Sequence, residues 1–102
     1  MIHVLASIEL KDGFKEEFLA IFKANVPAVL AEEGCVAYAP CVDVETGIPV
    51  QDVNPNIITI VEVWESLDHL RKHLTQPHMK DYAEKTAHMK VGTRLKVLEP
   101  VV

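Results

Sequence analysis

The feature that most restricts the fold of this chain is the segment from Ile57 to Glu65, which is apolar at both sets of alternate positions. Successive side chains of a β-strand point to opposite faces of its sheet. The two apolar sets are Ile58, Ile60 and Trp64 on one face and Ile57, Val61 and Val63 on the other. A strand in a half-solvated antiparallel sheet is polar on one face. We therefore expect this segment to be a strand that is covered on both faces.

The N-terminal segment from Ile2 to Leu10 has the same character, with Ile2, Val4 and Ile8 on one face and Leu5 on the other. A chain of 102 residues builds one domain with a single core. Its helices can cover only one face of a sheet. The second apolar face is expected to pack on another copy of the chain, which predicts a homodimer.

An amphipathic helix is predicted after the first strand. Apolar residues recur there at spacings of three and four, at Phe14, Phe18, Ile21, Phe22, Val26, Val29 and Leu30. Gly34 is the expected C-cap, because glycine readily adopts the left-handed conformation that ends many helices. Pro27 removes one backbone hydrogen bond inside the segment, so we expect a bend there.

The other segments complete the fold prediction. Cys35 to Val44 is strand-like, Glu45 to Asn56 is a long connection, and Val91 to Val97 is the last strand. Ser66 can cap a second helix, and Pro77 suits the first turn of a third, short one. The order β-α-β-β-α-β predicts a ferredoxin-like α+β fold with a four-stranded antiparallel sheet. Residues 1–102 are thus predicted to form one domain.

Charge and hydropathy exclude two classes of partner. The net charge of −5 argues against nucleic acid, which is bound through clustered Lys and Arg. No apolar run approaches the roughly 20 residues of a membrane-spanning helix, and the first residues lack the pattern of a secretory signal. We therefore expect a cytoplasmic protein that binds neither nucleic acid nor membrane.

The two cysteines, Cys35 and Cys41, predict neither a disulfide nor a metal site. They are six residues apart in one predicted strand, which corresponds to about 20 Å. A disulfide needs Cα atoms within about 7 Å. No CxxC pair or Cys/His zinc spacing is present. Both thiols are expected to be small, mostly buried apolar groups.

Five short motifs stand out along the chain: Glu32-Glu33-Gly34-Cys35, Tyr38-Ala39-Pro40, Glu62-Val63-Trp64-Glu65-Ser66, His73-Leu74 and Pro77-His78-Met79-Lys80. Together they resemble the motifs of the antibiotic biosynthesis monooxygenase (ABM) family, and in particular of its bacterial quinol monooxygenase branch. The resemblance implies a homodimer of ferredoxin-like subunits, of the dimeric α/β-barrel type, with an apolar pocket. It also implies oxidation of polycyclic phenols or quinols with O2, without metal, flavin or haem.

The resemblance places Trp64 and His73 beside that pocket, and His73 and His78 are the candidate bases. Histidine suits this role because it titrates near neutrality, and a cofactor-free reaction needs a deprotonated, electron-rich substrate. The alternatives are a core position for Trp64, a solvent-facing helix position for His73 and a plain helix-terminal position for His78.

The predicted substrate-binding residues are Tyr38, Asn25, Ile60, Glu62, Met79, Tyr82 and His3. Ordinary packing is the alternative for most of them. His3 can face either the pocket or the dimer interface. Glu62 shares a face with Trp64, so its carboxylate is expected to be directed inward. There it could act as a second base, or, as we favour, form an ion pair with an arginine such as Arg94. Ile60 stands where polyketide-oxidising relatives have Asn, which argues against an anthrone substrate.

Two other function classes stay open at this stage. A pocket with a histidine base could serve an isomerase or tautomerase of a small metabolite. A dimer with the same pocket could also bind quinones without turnover, because ferredoxin-like folds carry many activities. Consumption of O2 separates the monooxygenase from both.

Overall fold

A computed structural model describes residues 1–102 and contains four strands and three α-helices. In chain order these are β1 (Ile2–Leu10), α1 (Lys15–Leu30), β2 (Cys35–Val42), β3 (Ile57–Trp64), α2 (Leu67–His73), α3 (Pro77–Thr86) and β4 (Lys90–Leu98). A short 3-10 turn, Ala87–Met89, joins α3 to β4. The segment between β2 and β3 forms neither helix nor strand, as predicted.

All four strands form one antiparallel sheet in the order β2-β3-β1-β4. The central pair is in register from Ile2 opposite Trp64 to Glu9 opposite Ile57. This topology confirms the predicted ferredoxin-like fold, and the third helix fills the connection between β3 and β4. No helix of the chain has the length and apolar character that crossing a bilayer requires.

The helices pack on one face of the sheet, which we call the helix-side face. It carries Val4, Ala6 and Ile8 of β1 and Ile58, Ile60, Glu62 and Trp64 of β3, all of them buried. Trp64 and Ile58 have no exposed surface. Burying such a side chain contributes about 1.5–3 kcal/mol, so this face carries most of the hydrophobic stabilisation of the fold.

Four aromatic rings fill the space between this face and the helices. Phe22 of α1 stacks on Tyr38 of β2 with ring centroids 5.4 Å apart, and it meets the edge of the Tyr82 ring of α3 at 5.6 Å. Phe18 lies 6.0 Å from Phe22. Such pairs contribute about 0.5–1.5 kcal/mol each beyond their burial. The cluster fixes α1 and α3 relative to β2.

The opposite face of the sheet is not covered by any helix, and we call it the open face. It carries His3, Leu5 and Ser7 of β1, Thr59, Val61 and Val63 of β3, and Arg94, Lys96 and Leu98 of β4. Val61 and Leu98 are 38% and 43% exposed. Apolar side chains of the central strands therefore face solvent in the single chain.

The ends of the helices agree with the sequence in two cases and differ in one. The Ser66 side chain accepts a hydrogen bond from the backbone N–H of His69 at 3.2 Å and caps α2, and Pro77 begins α3. The prediction that Gly34 is the C-cap of α1 is wrong, because α1 ends at Leu30 with Ala31 as its C-cap. The helix continues through Pro27.

Gly34 instead forms the turn between α1 and β2, with φ at +81°. Its carbonyl accepts a hydrogen bond from the backbone N–H of Glu65 at 2.9 Å, which ties this turn to the end of β3. A Cβ atom at this position would lie 2.3 Å from Cγ of His69. Both the backbone conformation and the lack of space therefore require glycine.

The cysteines are free, as predicted. Cys35 is half-buried, and burial, followed by the nearby Glu32 and Glu62, raises the pKa of its thiol. A raised pKa disfavours the reactive thiolate. The prediction that both thiols are buried is wrong for Cys41, which lies near the end of the edge strand β2 and is exposed.

We predict that Gly34→Ala destabilises the protein more than Gly13→Ala. Both residues have positive φ, a conformation that costs other residues about 1–2 kcal/mol. Nothing lies within 4 Å of a Cβ at Gly13, whereas the clash with His69 should add about 1–3 kcal/mol at Gly34. Urea unfolding of both variants measures the difference. Equal losses of unfolding free energy would contradict the clash, and His69→Ala should partly rescue Gly34→Ala.

Candidate functional site

A cavity of about 150 Å³ lies between the helix-side face and the helices. Its lining includes Tyr38, Ile60, Glu62, His73, Met79 and Tyr82, together with Lys90, Thr93 and Leu95 of β4. Leu74 and Leu95 at its rim are 60% and 57% exposed, so the cavity is open to solvent. A site of this volume and apolar lining can hold one aromatic ring, and a fused second ring would extend through its open rim.

The side chain of Glu32 connects two histidines beside this cavity. Its Oε2 atom accepts a hydrogen bond from Nδ1 of His73 and another from Nε2 of His78, each at 2.8 Å. Glu32 and His73 are only 8% and 2% exposed at their side chains, while His78 is 26% exposed. The group therefore runs from the buried cavity wall to the surface.

Three elements position this group. Glu32 follows α1 in the turn that Gly34 closes, His73 is the last residue of α2, and His78 is the second residue of α3. Pro77 begins α3 and fixes the backbone directly before His78. The carboxylate thus fixes the ends of three separate helices relative to one another.

The imidazole of His73 is oriented by aromatic neighbours as well as by Glu32. Its ring centroid lies 4.6 Å from that of Trp64 and 5.4 Å from that of Tyr38. The protein supplies a hydrogen-bond partner to Nδ1 of His73 but none to Nε2. Because every fully buried polar side-chain atom of the chain has a partner, Nε2 is not fully buried. This atom is therefore accessible from the cavity and available for a ligand.

Glu62 is the second carboxylate of the site and is 6% exposed. Its Oε1 atom accepts a hydrogen bond from Nε1 of Trp64 at 3.0 Å. Burial raises the pKa of Glu62, although the Trp64 hydrogen bond and the charge of His73 oppose this. The predicted ion pair between Glu62 and Arg94 is wrong. Arg94 lies opposite Ser7 in the register of β1 and β4, which places its side chain on the open face.

The two tyrosines of the cavity are held in their neutral forms. Burial, with the charge of Glu62, raises the pKa of Tyr38 well above its usual value and that of Tyr82 to about 12. Both hydroxyl groups are therefore hydrogen-bond donors at neutral pH.

Two of the predicted binding residues lie elsewhere. His3 is exposed on the open face, because the side chains of β1 alternate and its neighbour Val4 points to the helices. Asn25 lies outside the cavity lining on α1, where its amide donates to Sδ of Met79 at 3.5 Å. The other five predicted lining residues do border the cavity.

Trp64 is fully buried behind His73 and does not line the cavity, and His78 reaches it only through Glu32. Glu32 and Lys90 also belong to the site, although neither was predicted as a site residue. Glu32 lies in one of the family motifs, but nothing in that motif marks it as the partner of two histidines, and Lys90 is the first residue of an otherwise ordinary strand. Only the tertiary arrangement brings them to the site.

This arrangement is suited to proton transfer at an aromatic ligand. A carboxylate that accepts Nδ1–H of a histidine fixes the tautomer, leaves Nε2 as the base and stabilises the imidazolium that forms. The flat apolar walls of the cavity suit an aromatic ring.

Comparison with solved structures supports the fold. A conserved protein from Methanosarcina mazei Go1 superposes with a TM-score of 0.83 at 25% identity, over 96% of this chain and 90% of that one. Rv0793 from Mycobacterium tuberculosis superposes with a TM-score of 0.83 at 19% identity, over 99% and 95% of the two chains. The latter similarity concerns the fold alone.

Comparison with known sequences identifies the family. The chain is 39% identical over 102 residues to the Escherichia coli K12 protein named "Probable quinol monooxygenase YgiN", and the match covers 98% of both chains. Residues 1–85 match the family described as antibiotic biosynthesis monooxygenase. This chain therefore belongs to the antibiotic biosynthesis monooxygenase family.

Proposed function

We propose that this protein is a cofactor-independent monooxygenase that oxidises a quinol, or a similar electron-rich phenol, with O2 in the cavity. The observation that carries the proposal is the hydrogen-bonded group of Glu32, His73 and His78, which presents one free imidazole nitrogen to an aromatic-sized apolar cavity. The name of the Escherichia coli relative supports the same substrate class.

His73 is the base of the proposed reaction. Its Nε2 atom takes the proton of the bound hydroxyl group, and Glu32 stabilises the imidazolium through Nδ1. His78 donates to the same carboxylate oxygen and is partly exposed, so it links the buried group to solvent. Trp64 supports the imidazole ring from behind.

Oxygen then reacts with the anion directly. The quinolate passes one electron to O2, and the resulting semiquinone and superoxide combine to form a carbon-bound peroxide, which takes up the proton held by His73. The carbon next loses its own proton to His73 and the O–O bond breaks, which forms a new carbonyl group and hydroxide. Protonation of the hydroxide gives water. Overall, quinol and O2 yield a hydroxyquinone and one water.

We further propose that the protein acts as a homodimer through the open face. Leu5, Val61, Val63 and Leu98 form an apolar surface there that no helix covers. Asp43 and Asp52 of the connection between β2 and β3 border a concavity of about 590 Å³ on this face, together with Arg94. A second copy would remove the apolar surface from water, and its polar groups could contact Asp43, Asp52 and Arg94.

We expect His73→Gln to reduce turnover by about 10²- to 10⁴-fold, the usual contribution of a positioned base. The assay is O2 uptake by metal-stripped protein with reduced naphthoquinol, corrected for autoxidation. Glu32→Gln should lower kcat more than it raises KM and alter the pH profile, because it acts through His73. His88→Ala, an exposed histidine outside the cavity, is the control. Uptake at the autoxidation rate for the wild-type protein would exclude this reaction.

The difference in unfolding free energy between Glu62→Gln and the wild type should change with pH. Because the folded pKa of Glu62 is raised, both states are protonated below 4.5 and the residue has no net effect there. Above 4.5 the unfolded chain ionises first, so the wild type loses stability until the folded carboxyl also ionises. Gln keeps the acceptor for Trp64 and should be relatively more stable at neutral pH. Urea unfolding of both proteins from below pH 4.5 to neutral pH measures the difference in their unfolding free energies. A difference that does not change with pH would contradict the raised pKa.

Val61→Asp should convert the dimer into a monomer of about 11.4 kDa. It places a charge in the apolar centre of the open face, where burial against a partner would be unfavourable. Leu67→Asp is the matched control, since Leu67 is 40% exposed on α2 and Val61 is 38% exposed. Light scattering coupled to gel filtration gives the mass. A wild-type monomer, or a Val61→Asp dimer, would contradict this assembly.

A further inference from the structure

Lys90 is the only Lys or Arg among the residues that line the cavity. It is the first residue of β4, and its side chain is half-buried with Nζ 4.9 Å from the centroid of the Tyr82 ring. The hydroxyl-bearing Thr93 lies on the same strand and borders the same cavity. A cation is therefore built into an otherwise apolar and acidic pocket.

No carboxylate lies within 4 Å of this ammonium group, since every ion pair of the chain involves other residues. Burial lowers the pKa of Lys90, and no neighbouring charge compensates. The Tyr82 ring gives a cation–π contact, which stabilises a cation only partly. An anionic or strongly accepting ligand atom in the cavity would supply the missing partner.

Lys90 and the Glu32 to His78 group lie toward opposite ends of the sheet. Lys90 is paired with Leu10 at the C-terminal end of β1, whereas Glu62 and Trp64 are paired with Val4 and Ile2 at its N-terminal end. His73 packs on Trp64. The cavity thus has a base toward one end, a cation toward the other and apolar side chains between them.

We propose that Lys90 binds a second oxygen of the substrate, so that the cavity selects aromatic compounds with oxygen on opposite sides of the ring. One oxygen gives its proton to His73, and the other accepts a hydrogen bond from Nζ of Lys90. This inference rests on the proposed function, and it assigns recognition of the second quinol oxygen to one residue, Lys90.

The test is anaerobic binding of a matched pair of probes, 1,4-naphthoquinol and 1-naphthol, which differ only in the second oxygen. Trp64 is the single tryptophan of the chain and contacts His73, so its fluorescence reports occupancy. Wild-type protein should prefer the quinol by about tenfold or more, the usual effect of a charged hydrogen bond. Lys90→Met, which keeps an apolar stem over Tyr82, should bind both probes equally.

Lys96→Met is the matched control, because it removes the same charge from the same strand on the open face. Preference lost in Lys90→Met and kept in Lys96→Met supports the proposal. The proposal would be overturned if the wild type showed no preference, if Lys90→Met kept the preference, or if Lys90→Met lost affinity equally for both probes. It would also be overturned if both variants lost the preference. A Lys90→Met enzyme with unchanged quinol binding and a lower kcat/KM for O2 would overturn it in favour of a role at dioxygen.

Because the binding test excludes oxygen, its outcome is independent of turnover. If the quinol preference depends on Lys90 but the protein takes up no O2, the assignment of Lys90 stands and the proposed oxygenase reaction is excluded. O2 uptake in a protein whose Lys90→Met variant keeps its preference would do the opposite.

Discussion

The site depends on one buried carboxylate that satisfies two histidines. Glu32 has little contact with water, and it is stabilised because Nδ1 of His73 and Nε2 of His78 both donate to the same oxygen at 2.8 Å. Removing one partner of a buried charged pair costs about 3–5 kcal/mol, because the remaining charge is left without compensation. The ends of α1, α2 and α3 are therefore coupled, and the same contact that holds them together orients the imidazole toward the cavity.

The charges around the cavity are arranged for different purposes. Glu32 accepts hydrogen bonds from two histidines, whereas Glu62 receives one hydrogen bond from Trp64 and has a raised pKa because it is buried. The two carboxylates of the site thus have different partners. Lys90 supplies positive charge on the side away from both histidines. In the proposed reaction, this separation assigns proton removal and oxygen binding to opposite ends of the cavity.

Much of the fold could be predicted from the sequence, and most of the errors share a physical cause. Alternation in β1 and β3, the Ser66 cap and Pro77 all report local backbone preferences, and the predicted elements agree with the structure. Apart from the C-cap of α1, which is Ala31 and not Gly34, the wrong predictions concern relations between elements. Arg94 and Glu62 are both on strands of one sheet, but the register of β4 places Arg94 on the open face. His3 is on the open face, one of its two expected positions, because the side chains of β1 alternate between faces. Cys41 is exposed because β2 is an edge strand.

By itself, the sequence determined that the chain forms strands apolar on both faces, amphipathic helices and a ferredoxin-like order, because these follow from spacing and backbone preference over a few residues. Family motifs in it also indicated positions for His73 and Trp64 beside a pocket, and strand alternation indicated the inward direction of Glu62. Only the tertiary structure decided that Glu32 bonds to both histidines and that Lys90 enters the same cavity. Hydrogen bonds between residues 41 and 46 positions apart depend on how helices pack, and that packing has no signature in the neighbouring residues.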